Sequence, residues 1–240
     1  MTPVLPACAV VGHGRLGTAL ADALRAAGAP VQGPLRRGAT ADGADIAILA
    51  VPDAEIATAA ACIAQGVLVG HCSGATTLQP LRATGHARAF SLHPLMTITT
   101  RGARFAGAHA AIAGSDAEAL ETAQTLARAL GLTPFAVADE DRAAYHAAAS
   151  IASNFLITLE WAAERVAPGV GRRALAPLVQ ATVENWVAEG PRAALTGPIA
   201  RGDEATVARQ RDAVAERAPD LVPLFDALAA ATRDLAAVPA

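Results

Sequence analysis

The chain has 240 residues, of which 53% are hydrophobic and 17% charged, and its formal net charge is −3. This composition excludes a disordered chain, because a chain of this size and apolar content can bury a full core. The slightly acidic balance gives no positive field for a polyphosphate backbone, so we expect no nucleic acid among its partners.

No apolar run of the sequence reaches the ~18 residues that a membrane span needs, and the first residues lack the pattern of a secretory signal. We therefore expect a cytoplasmic protein with no membrane partner. Its three cysteines show no metal or redox spacing, which predicts reduced thiols and no metal site. All 19 basic residues are arginines, so no lysine is present to form a Schiff base or act as a general acid.

The first part of the chain alternates short apolar runs with helical patterns. The helical patterns cover residues 15–27, 54–64 and 117–130. The apolar runs, each interpreted as a strand, are ACAVVG, PVQGPL, DIAILAVP, GVLVGHC, ARAFSLH, AHAAIAG and TPFAVA. Such alternation is typical of an α/β fold with a doubly wound parallel sheet, and it predicts one such domain over residues 1–138.

After residue 138 the strand pattern stops. The remaining sequence has the pattern of helices separated by segments that contain Pro and Gly, at residues 167–171, 189–192 and 196–203. We therefore expect an all-α C-terminal domain over residues 139–240.

The segment VVGHGRLG places Gly12, Gly14 and Gly17 in G-x-G-x-x-G spacing, between the first predicted strand and the first predicted helix. This context is typical of a Rossmann-like dinucleotide site, where glycines allow a tight turn, approach of the pyrophosphate and close packing of helix on strand. The helix N-terminus then offers free N–H groups to the phosphates. The alternative is a glycine-rich turn without a ligand.

The residues after the second predicted strand indicate which dinucleotide binds. NAD sites usually carry an acidic residue ~20 positions after the glycines, where it accepts hydrogen bonds from the ribose 2′-OH. Here the sequence is GPLRRG, so Arg36 and Arg37 stand where a carboxylate would be. Two guanidinium groups suit the 2′-phosphate of NADP, and we predict NADP as the cofactor. The alternative is a pair of solvated loop arginines.

Further cofactor contacts are expected from the glycine turn and from the segment AVPD at the end of the third predicted strand. In this segment a proline after an apolar strand can bend the chain beneath the cofactor. In the alternative interpretation Pro52 only ends the strand and Asp53 caps the helix that follows. The residues that we assign to these contacts are His13, Arg15, Leu16, Val51 and Pro52.

Candidate chemistry lies at the carboxyl ends of the next two strands, where parallel sheets bind their ligands. Ser73 in HCSGA and His93 in SLHPL follow successive strands, so their side chains can converge. Histidine suits proton transfer beside a hydride transfer, since its ordinary pKa of ~6.5 leaves both forms accessible. Ser73 would orient it or bind a substrate oxygen, with His71 and Cys72 as weaker candidates. The alternative is that His93 is a structural residue at a strand end.

The helical part contributes further candidates. In AAYHAAASIASNFL, helical spacing places Tyr145 or His146 near Asn154 on one face, with small residues between them. A ligand can approach such a face closely, although a helix-packing surface explains it equally. In LTGPIARGD, Arg201 on a Gly/Pro loop can hold a carboxylate or phosphate, or form a surface salt bridge. Asp203 is expected to cap the helix Glu204–Arg217.

Six segments in this order resemble a known family over nearly the whole chain: GHGRLG, AVPD, HCSGA, SLHPL, YHAAASIASNFL and ALTGPIARGD. They are similar to Rossmann-like proteins with a C-terminal DUF2520 domain, a branch of the 6-phosphogluconate dehydrogenase-like superfamily. The resemblance implies an N-terminal NAD(P) domain, a helical substrate and dimerisation domain, and therefore a homodimer. It also implies an oxidoreductase that depends on NADP or on F420.

Two relatives of that superfamily refine the expected chemistry. The Ser…His-Pro arrangement resembles prephenate dehydrogenases, where the histidine assists hydride transfer and the serine positions it, and this resemblance gives those roles to Ser73 and His93. β-Hydroxyacid dehydrogenases use a catalytic lysine, which this sequence lacks. Pyrroline-5-carboxylate reductases are similar in architecture and need no such base, so they offer a pattern for imine reduction.

These inferences predict an NADP(H)-dependent oxidoreductase that acts on a small, anionic substrate, an oxo or hydroxy acid or an imine, between the two domains. The proton would be handled by His93 with Ser73 orienting it, and Arg201 would hold the anion. The residues expected to line the cleft are Asn154, Tyr145 and His146. The alternative is an NADP(H)-binding sensor or regulatory protein without turnover.

Overall fold

The computed structural model describes residues 5–99 and 102–239 of the chain. These residues form two compact units, Met1–Ser153 and Asn154–Ala240. The first unit contains all the strands of the described sheet and the second is helical, so the predicted order of an α/β part followed by helices is confirmed. The domain boundary after residue 138 stays a prediction.

The first unit is built on a seven-stranded sheet with the order β2-β1-β3-β4-β5-β6-β7. All neighbouring strands are parallel except β5 and β6, which are antiparallel. Six of the seven predicted apolar runs contain one of these strands, and β5 extends two residues beyond the seventh, ARAFSLH. The strands are β1 (Cys8–Val11), β2 (Val31–Leu35), β3 (Ile46–Leu49), β4 (Leu68–His71), β5 (Ala89–Leu95), β6 (His109–Gly114) and β7 (Thr133–Ala136).

Helices flank the sheet and bury its central strands on both faces. Every residue of β1, β3 and β4 is buried, which requires cover on each side. The helix that follows β1 buries an apolar stripe that includes Leu20 and Leu24 in this core. The helices of this unit are α1 (Arg15–Ala26), α2 (Ile56–Ala60), α3 (Gln79–Ala83), α4 (Ala117–Ala129) and α5 (Arg142–Ser150).

The pattern over residues 54–64 predicts a longer helix than the one that forms. A short 3-10 turn, Asp53–Glu55, comes first, and α2 then ends at Ala60. The predicted helices at α1 and α4 are confirmed to within one residue at each end. These ends are set by turns, whereas the apolar stripe sets the body of a helix.

The second unit contains only helices in its described residues. A π-helical turn, Ile151–Phe155, precedes its first helix. Its core is small and centres on Val214, Ala218 and Leu221. No helix among the described residues combines the length and apolar character that crossing a bilayer requires. The helices are α6 (Leu156–Val166), α7 (Arg172–Ala194), α8 (Glu204–Arg217) and α9 (Val222–Ala237).

The start of α8 confirms the predicted cap. The Thr206 N–H donates to Oδ1 of Asp203 over 3.0 Å, which satisfies one of the N–H groups that a helix N-terminus leaves free. The helix runs from Glu204 to Arg217, as the sequence predicts.

Candidate functional site

An open cavity of about 430 Å³ lies at the carboxyl ends of the central strands in the first unit. It lies where open parallel sheets bind their ligands. Its walls are formed by Gly14, Arg15, Leu16, Ala50, Val51, Asp53, Cys72, Ser73, Gly74, His93, Pro94, Met96, Ile98 and His146. The glycine turn and the candidate catalytic residues therefore share one cavity.

The three glycines of the turn differ in the space around them. Gly12 has φ +119°, and a Cβ there would overlap the Ala50 carbonyl. A Cβ at Gly17 would overlap the carbonyl of Gly12, so these two glycines allow the turn to close against α1. A Cβ at Gly14 would meet nothing within 4 Å. The middle glycine thus leaves open space on the side of the cavity.

Gly14 is also the N-cap of α1 and supplies no capping side chain. The N–H groups of the first helical turn are therefore left for solvent or a ligand, and they favour an anion. This combination of open space and free N–H groups fits the pyrophosphate of a dinucleotide. His13 is exposed and does not line the cavity.

Arg36 and Arg37 follow β2, which lies beside β1 in the sheet, and both are exposed. Nη1 of Arg37 lies 3.2 Å from Oε1 of Glu55. An exposed ion pair of this kind stabilises little, so a phosphate can replace the carboxylate at small cost. Arg36 has no ion-pair partner among the residues that the structure describes.

The segment AVPD contributes Val51 and Asp53 to the cavity wall, whereas Pro52 is exposed and outside the lining. The predicted helix cap at Asp53 is wrong. The 3-10 turn has Pro52 as its N-cap and no side-chain hydrogen bond there, because the Asp53 carboxylate faces another partner. That partner is Ser73, whose hydroxyl donates to Oδ2 of Asp53 over 2.8 Å.

Ser73 is buried, and its hydroxyl is engaged on both sides. It donates to Asp53, and its Oγ accepts a hydrogen bond from the Thr76 N–H over 2.9 Å. The single hydroxyl proton of Ser73 is therefore directed to a carboxylate and not to His93. A charge-assisted bond of this kind is stronger than one between neutral groups.

His93 is hydrogen-bonded to Tyr145, with 2.7 Å between Nδ1 and the phenol oxygen. Tyr145 lies on α5. The residue after it, His146, has its ring centroid 6.2 Å from that of His93. Burial, and then the nearby His146 and Arg142, lower the pKa of His93 to about 4. Burial raises the pKa of Tyr145 to about 12. Near neutral pH the imidazole is thus uncharged and the phenol protonated.

Arg142 lies beside the cavity, outside its lining, and the sequence interpretation missed it. Its side chain is only 1% exposed, and Nε donates to Oδ1 of Asp139 over 3.2 Å. The guanidinium also donates to the Ser73 carbonyl and to the hydroxyl of Ser91 on β5. The signal in the sequence is the spacing of Arg142 with Tyr145 and His146, which places the three on one helix face.

The two weaker candidates have structural explanations. His71 is fully buried, accepts from the Ser73 N–H at Nδ1 over 3.2 Å, and donates through Nε2 to the Thr77 carbonyl over 3.0 Å. Burial lowers its pKa to about 4, so it is a neutral residue that fixes the turn after β4. Burial raises the pKa of Cys72 to about 12, which leaves the thiol unreactive.

Asn154 and Arg201 belong to the second unit. Asn154 lies in the π-helical turn, where its backbone carbonyl accepts from the Thr158 hydroxyl. Arg201 is exposed in the turn before α8. Their predicted roles toward a substrate stay predictions.

Residues 108–232, more than half of the chain, match the family described as a domain of unknown function (DUF2520). None of the curated proteins compared with the chain matches it.

Solved structures share the fold over nearly the whole chain. A candidate NADP oxidoreductase from Bacteroides fragilis is 20% identical with a TM-score of 0.81, covering 96% of this chain and 98% of that chain. A Thermotoga maritima protein is 21% identical with a TM-score of 0.80, at coverages of 96% and 100%. An Aspergillus terreus reductive aminase, solved with NADPH and ethyl-5-oxohexanoate, is 17% identical with a TM-score of 0.66, at 96% and 95%. At these identities the likeness shows the fold alone.

Proposed function

Since the chain belongs to the DUF2520 family, we propose that it is an NADP(H)-dependent oxidoreductase that acts on a small, anionic substrate, an oxo or hydroxy acid or an imine. One observation carries the proposal: a single cavity joins the glycine turn before α1 to His93, whose Nδ1 is hydrogen-bonded to Tyr145. The reductive aminase that shares the fold was solved with NADPH, which supports the same cofactor here.

The residues that would hold the dinucleotide lie around the start of α1. The free N–H groups after Gly14 suit the pyrophosphate, and Val51 forms the neighbouring wall. Arg36 and Arg37 suit the 2′-phosphate, since a guanidinium can bind it through two parallel hydrogen bonds. When bound, NADPH supplies the hydride for reduction.

The remaining requirement of such a reaction is one proton, which the chain itself handles. In the direction of oxidation, the neutral imidazole of His93 in its Nδ1–H tautomer accepts the proton of the substrate hydroxyl or amine at Nε2. Nδ1 passes its own proton to the Tyr145 oxygen, and the Tyr145 hydroxyl releases its proton to solvent. In the direction of reduction, the imidazole donates a proton to the substrate oxygen or nitrogen, and the Tyr145 hydroxyl restores that proton at Nδ1. Tyr145 then recovers its proton from solvent. The 2.7 Å contact is short enough for this transfer.

The charge of the cavity wall supports a substrate that carries an anionic group. Arg15 lines the cavity beside the glycine turn, and His93 contributes no charge near neutral pH. The Asp53 carboxylate is partly satisfied by the Ser73 hydroxyl, which reduces its repulsion of an anion. A substrate carboxylate would therefore lie toward Arg15, and its reacting centre toward His93.

The experiment is a turnover screen. Purified protein with NADPH is mixed with imines and oxo acids, and protein with NADP⁺ is mixed with hydroxy acids, while the reduced-nicotinamide absorbance is followed. The His93→Asn variant should lose about 100-fold or more in kcat and keep its NADPH affinity. The matched control is His109→Asn, an exposed histidine at the start of β6 outside the cavity lining. Full activity of His93→Asn would remove His93 from the mechanism.

A non-catalytic NADP(H)-binding sensor is the second candidate. It is favoured by the absence of lysine from the chain and by the engagement of the Ser73 hydroxyl with Asp53, which leaves no complete catalytic triad among the described residues. Tight NADPH binding without turnover in the whole screen would support it. Equilibrium titration with NADPH, NADH and F420 identifies the cofactor for either candidate.

The predicted homodimer is part of the same proposal. Helix α7 has no buried residue, and it carries Leu178, Trp186 and Val187, exposed by 65%, 54% and 73%. Large apolar side chains on one helix favour burial against a partner, and we propose a second copy of the chain. Sedimentation should give a dimer for the native chain and a monomer for Leu178→Glu. A monomeric native chain would contradict the dimer without affecting the proposed reaction.

A further inference from the structure

A full positive charge is buried beside the candidate site. The Arg142 side chain is 1% exposed, and its nearest carboxylate, Asp139, is 45% exposed and contacts only Nε. A buried guanidinium is costly unless polar groups surround it, so its other partners must be close. They are the Ser73 carbonyl and the hydroxyl of Ser91.

These partners belong to the elements that carry the site. Ser73 lies in the turn after β4, directly before the cavity residue Gly74. Ser91 lies on β5, two positions before His93. Asp139 lies in the turn that leads into α5, of which Arg142 is the first residue. One guanidinium therefore connects the turn after β4 and the interior of β5 to the start of one helix.

The same helix brings Tyr145 to His93. Tyr145 stands three positions after Arg142, so both side chains leave α5 on one face. The phenol ring also packs edge-on against Phe135 on β7, with ring centroids 5.9 Å apart. A shift of the first turn of α5 would move the phenol relative to the imidazole.

We propose that Arg142 is a positioning residue of this site, which fixes the Ser73 turn and the first turn of α5 and thereby aims the Tyr145 hydroxyl at His93. The inference rests on the proposed function only through the role of His93 in proton transfer. The geometric part concerns Arg142, Ser73, Ser91 and Tyr145 and does not depend on turnover.

The charge of Arg142 acts on the same imidazole. In addition to burial, His146, Arg142 and His71 lower the pKa of His93, and Asp53 raises it. The titratable and charged groups that face or neighbour this imidazole are Arg142, Tyr145 and His146 from α5, His71 from β4, Asp139 before α5, and Asp53 after β3. Removal of the cation therefore raises the pKa of His93, and a lysine in its place keeps it low.

Kinetics test the positioning role. Arg142→Lys keeps the charge but cannot reach three partners, and it should lower kcat by about 100-fold with NADPH affinity unchanged. In a double-mutant cycle, Tyr145→Phe should then cost little more, because both changes remove the same alignment. Asp139→Asn, a milder change, should lower kcat by less than Arg142→Lys. Losses that multiply independently, or an unchanged kcat in Arg142→Lys, would overturn the proposal.

A titration tests the same residue without turnover. The His93 ring signals, identified by their loss in His93→Asn, are followed by NMR against pH. Arg142→Met should move the titration upward from about 4, whereas Arg142→Lys should stay near it. The control is Arg82→Met, an exposed arginine on α3. Equal titration curves in native protein and Arg142→Met would refute the influence of Arg142, whereas absence of turnover in native protein would refute only the proposed function.

Discussion

The Tyr145 hydroxyl lies 2.7 Å from Nδ1 of His93, although 52 positions separate the two residues in the chain. This contact joins the end of β5 to the first helix that follows the last strand. Because Tyr145 is protonated near neutral pH and His93 is uncharged, the phenol can donate to Nδ1 and leave the imidazole proton on Nε2. The pair thus sets which nitrogen of His93 is available to a substrate.

Removal of the hydroxyl by Tyr145→Phe should lower kcat by about 10- to 100-fold, because the imidazole loses the group that restores its proton. The aromatic ring and its packing on Phe135 remain, so unfolding free energy should fall by only about 0.5 to 1.5 kcal/mol. Steady-state kinetics and chemical denaturation measure the two effects. An unchanged kcat would show that His93 exchanges its proton directly with solvent.

The arginine pair after β2 predicts a selective effect on the cofactor. Replacement of Arg36 and Arg37 by Ala should weaken NADPH binding by about 1.5 to 3 kcal/mol for each charged hydrogen bond lost, and leave NADH binding nearly unchanged. Arg37 should contribute less than Arg36, since it must leave Glu55 to reach a phosphate. Titration of both dinucleotides decides the matter, and an equal loss for NADH would refute the assignment of the 2′-phosphate.

A substitution at Gly14 should affect ligand binding much more than folding. A Cβ at this position meets no described atom of the protein within 4 Å, so Gly14→Ala should cost at most about 1 kcal/mol of stability at the helix N-cap. A bound pyrophosphate would need that space, and NADPH affinity should therefore drop. The comparison variant is Gly17→Ala, which should destabilise the protein itself because the new Cβ overlaps the Gly12 carbonyl. Unaltered NADPH affinity in Gly14→Ala would place the phosphates elsewhere.

A buried histidine, His71, and a half-buried one, His93, predict acid sensitivity. The pKa values of His71 and His93 are lowered from 6.5 to about 4, so the unfolded chain binds protons that the folded chain does not between these values. The contribution of these two neutral histidines to the free energy of unfolding is therefore fully present above pH 6.5. It is lost as the pH falls toward 4, by roughly 1 kcal/mol per pH unit for each histidine. Denaturation curves across this range measure the slope. In His93→Asn the slope should fall by the share that one proton contributes. The same slope in that variant would contradict the low pKa of His93.

The sequence was sufficient to predict the sheet, the glycine turn and the meeting of Ser73 with His93 in one cavity. These features follow from local patterns, because apolar runs form strands and parallel strands end at one edge. The pairing of Asp53 with Ser73, 20 positions away, was not predictable, and a local helix cap explained Asp53 as well. The apolar pattern predicted a parallel sheet and did not indicate the antiparallel pairing of β5 with β6. No helix lies in the described part of their connection, and such strands can pair antiparallel.

Arg142 shows the same limit for the site. Its partners Ser91 and Ser73 lie 51 and 69 positions away, and no local signal distinguishes it from the other arginines except its spacing to Tyr145. Long-range contacts of a single side chain depend on the packing of the whole unit, which sequence patterns do not contain. The sequence predicted the strands and helices on which the candidate residues lie. The hydrogen bonds of these side chains are visible only in the structure.

The turn after β4 predicts one further effect on His93. A Cβ on Gly74 would lie 2.8 Å from Cε1 and 2.9 Å from Nδ1 of His93, and 3.0 Å from Cδ2 of His146. Gly74→Ala should therefore displace the imidazole from Tyr145 and lower kcat by about 100-fold, as expected for a displacement of about 1 Å. NADPH affinity should change little, since the glycine turn before α1 is untouched. The matched control is Gly169→Ala, where a Cβ meets nothing within 4 Å and φ is ordinary, and it should retain native activity. Native kcat in Gly74→Ala would mean that the reaction does not depend on the position of the imidazole, and the role proposed for His93 would have to be abandoned.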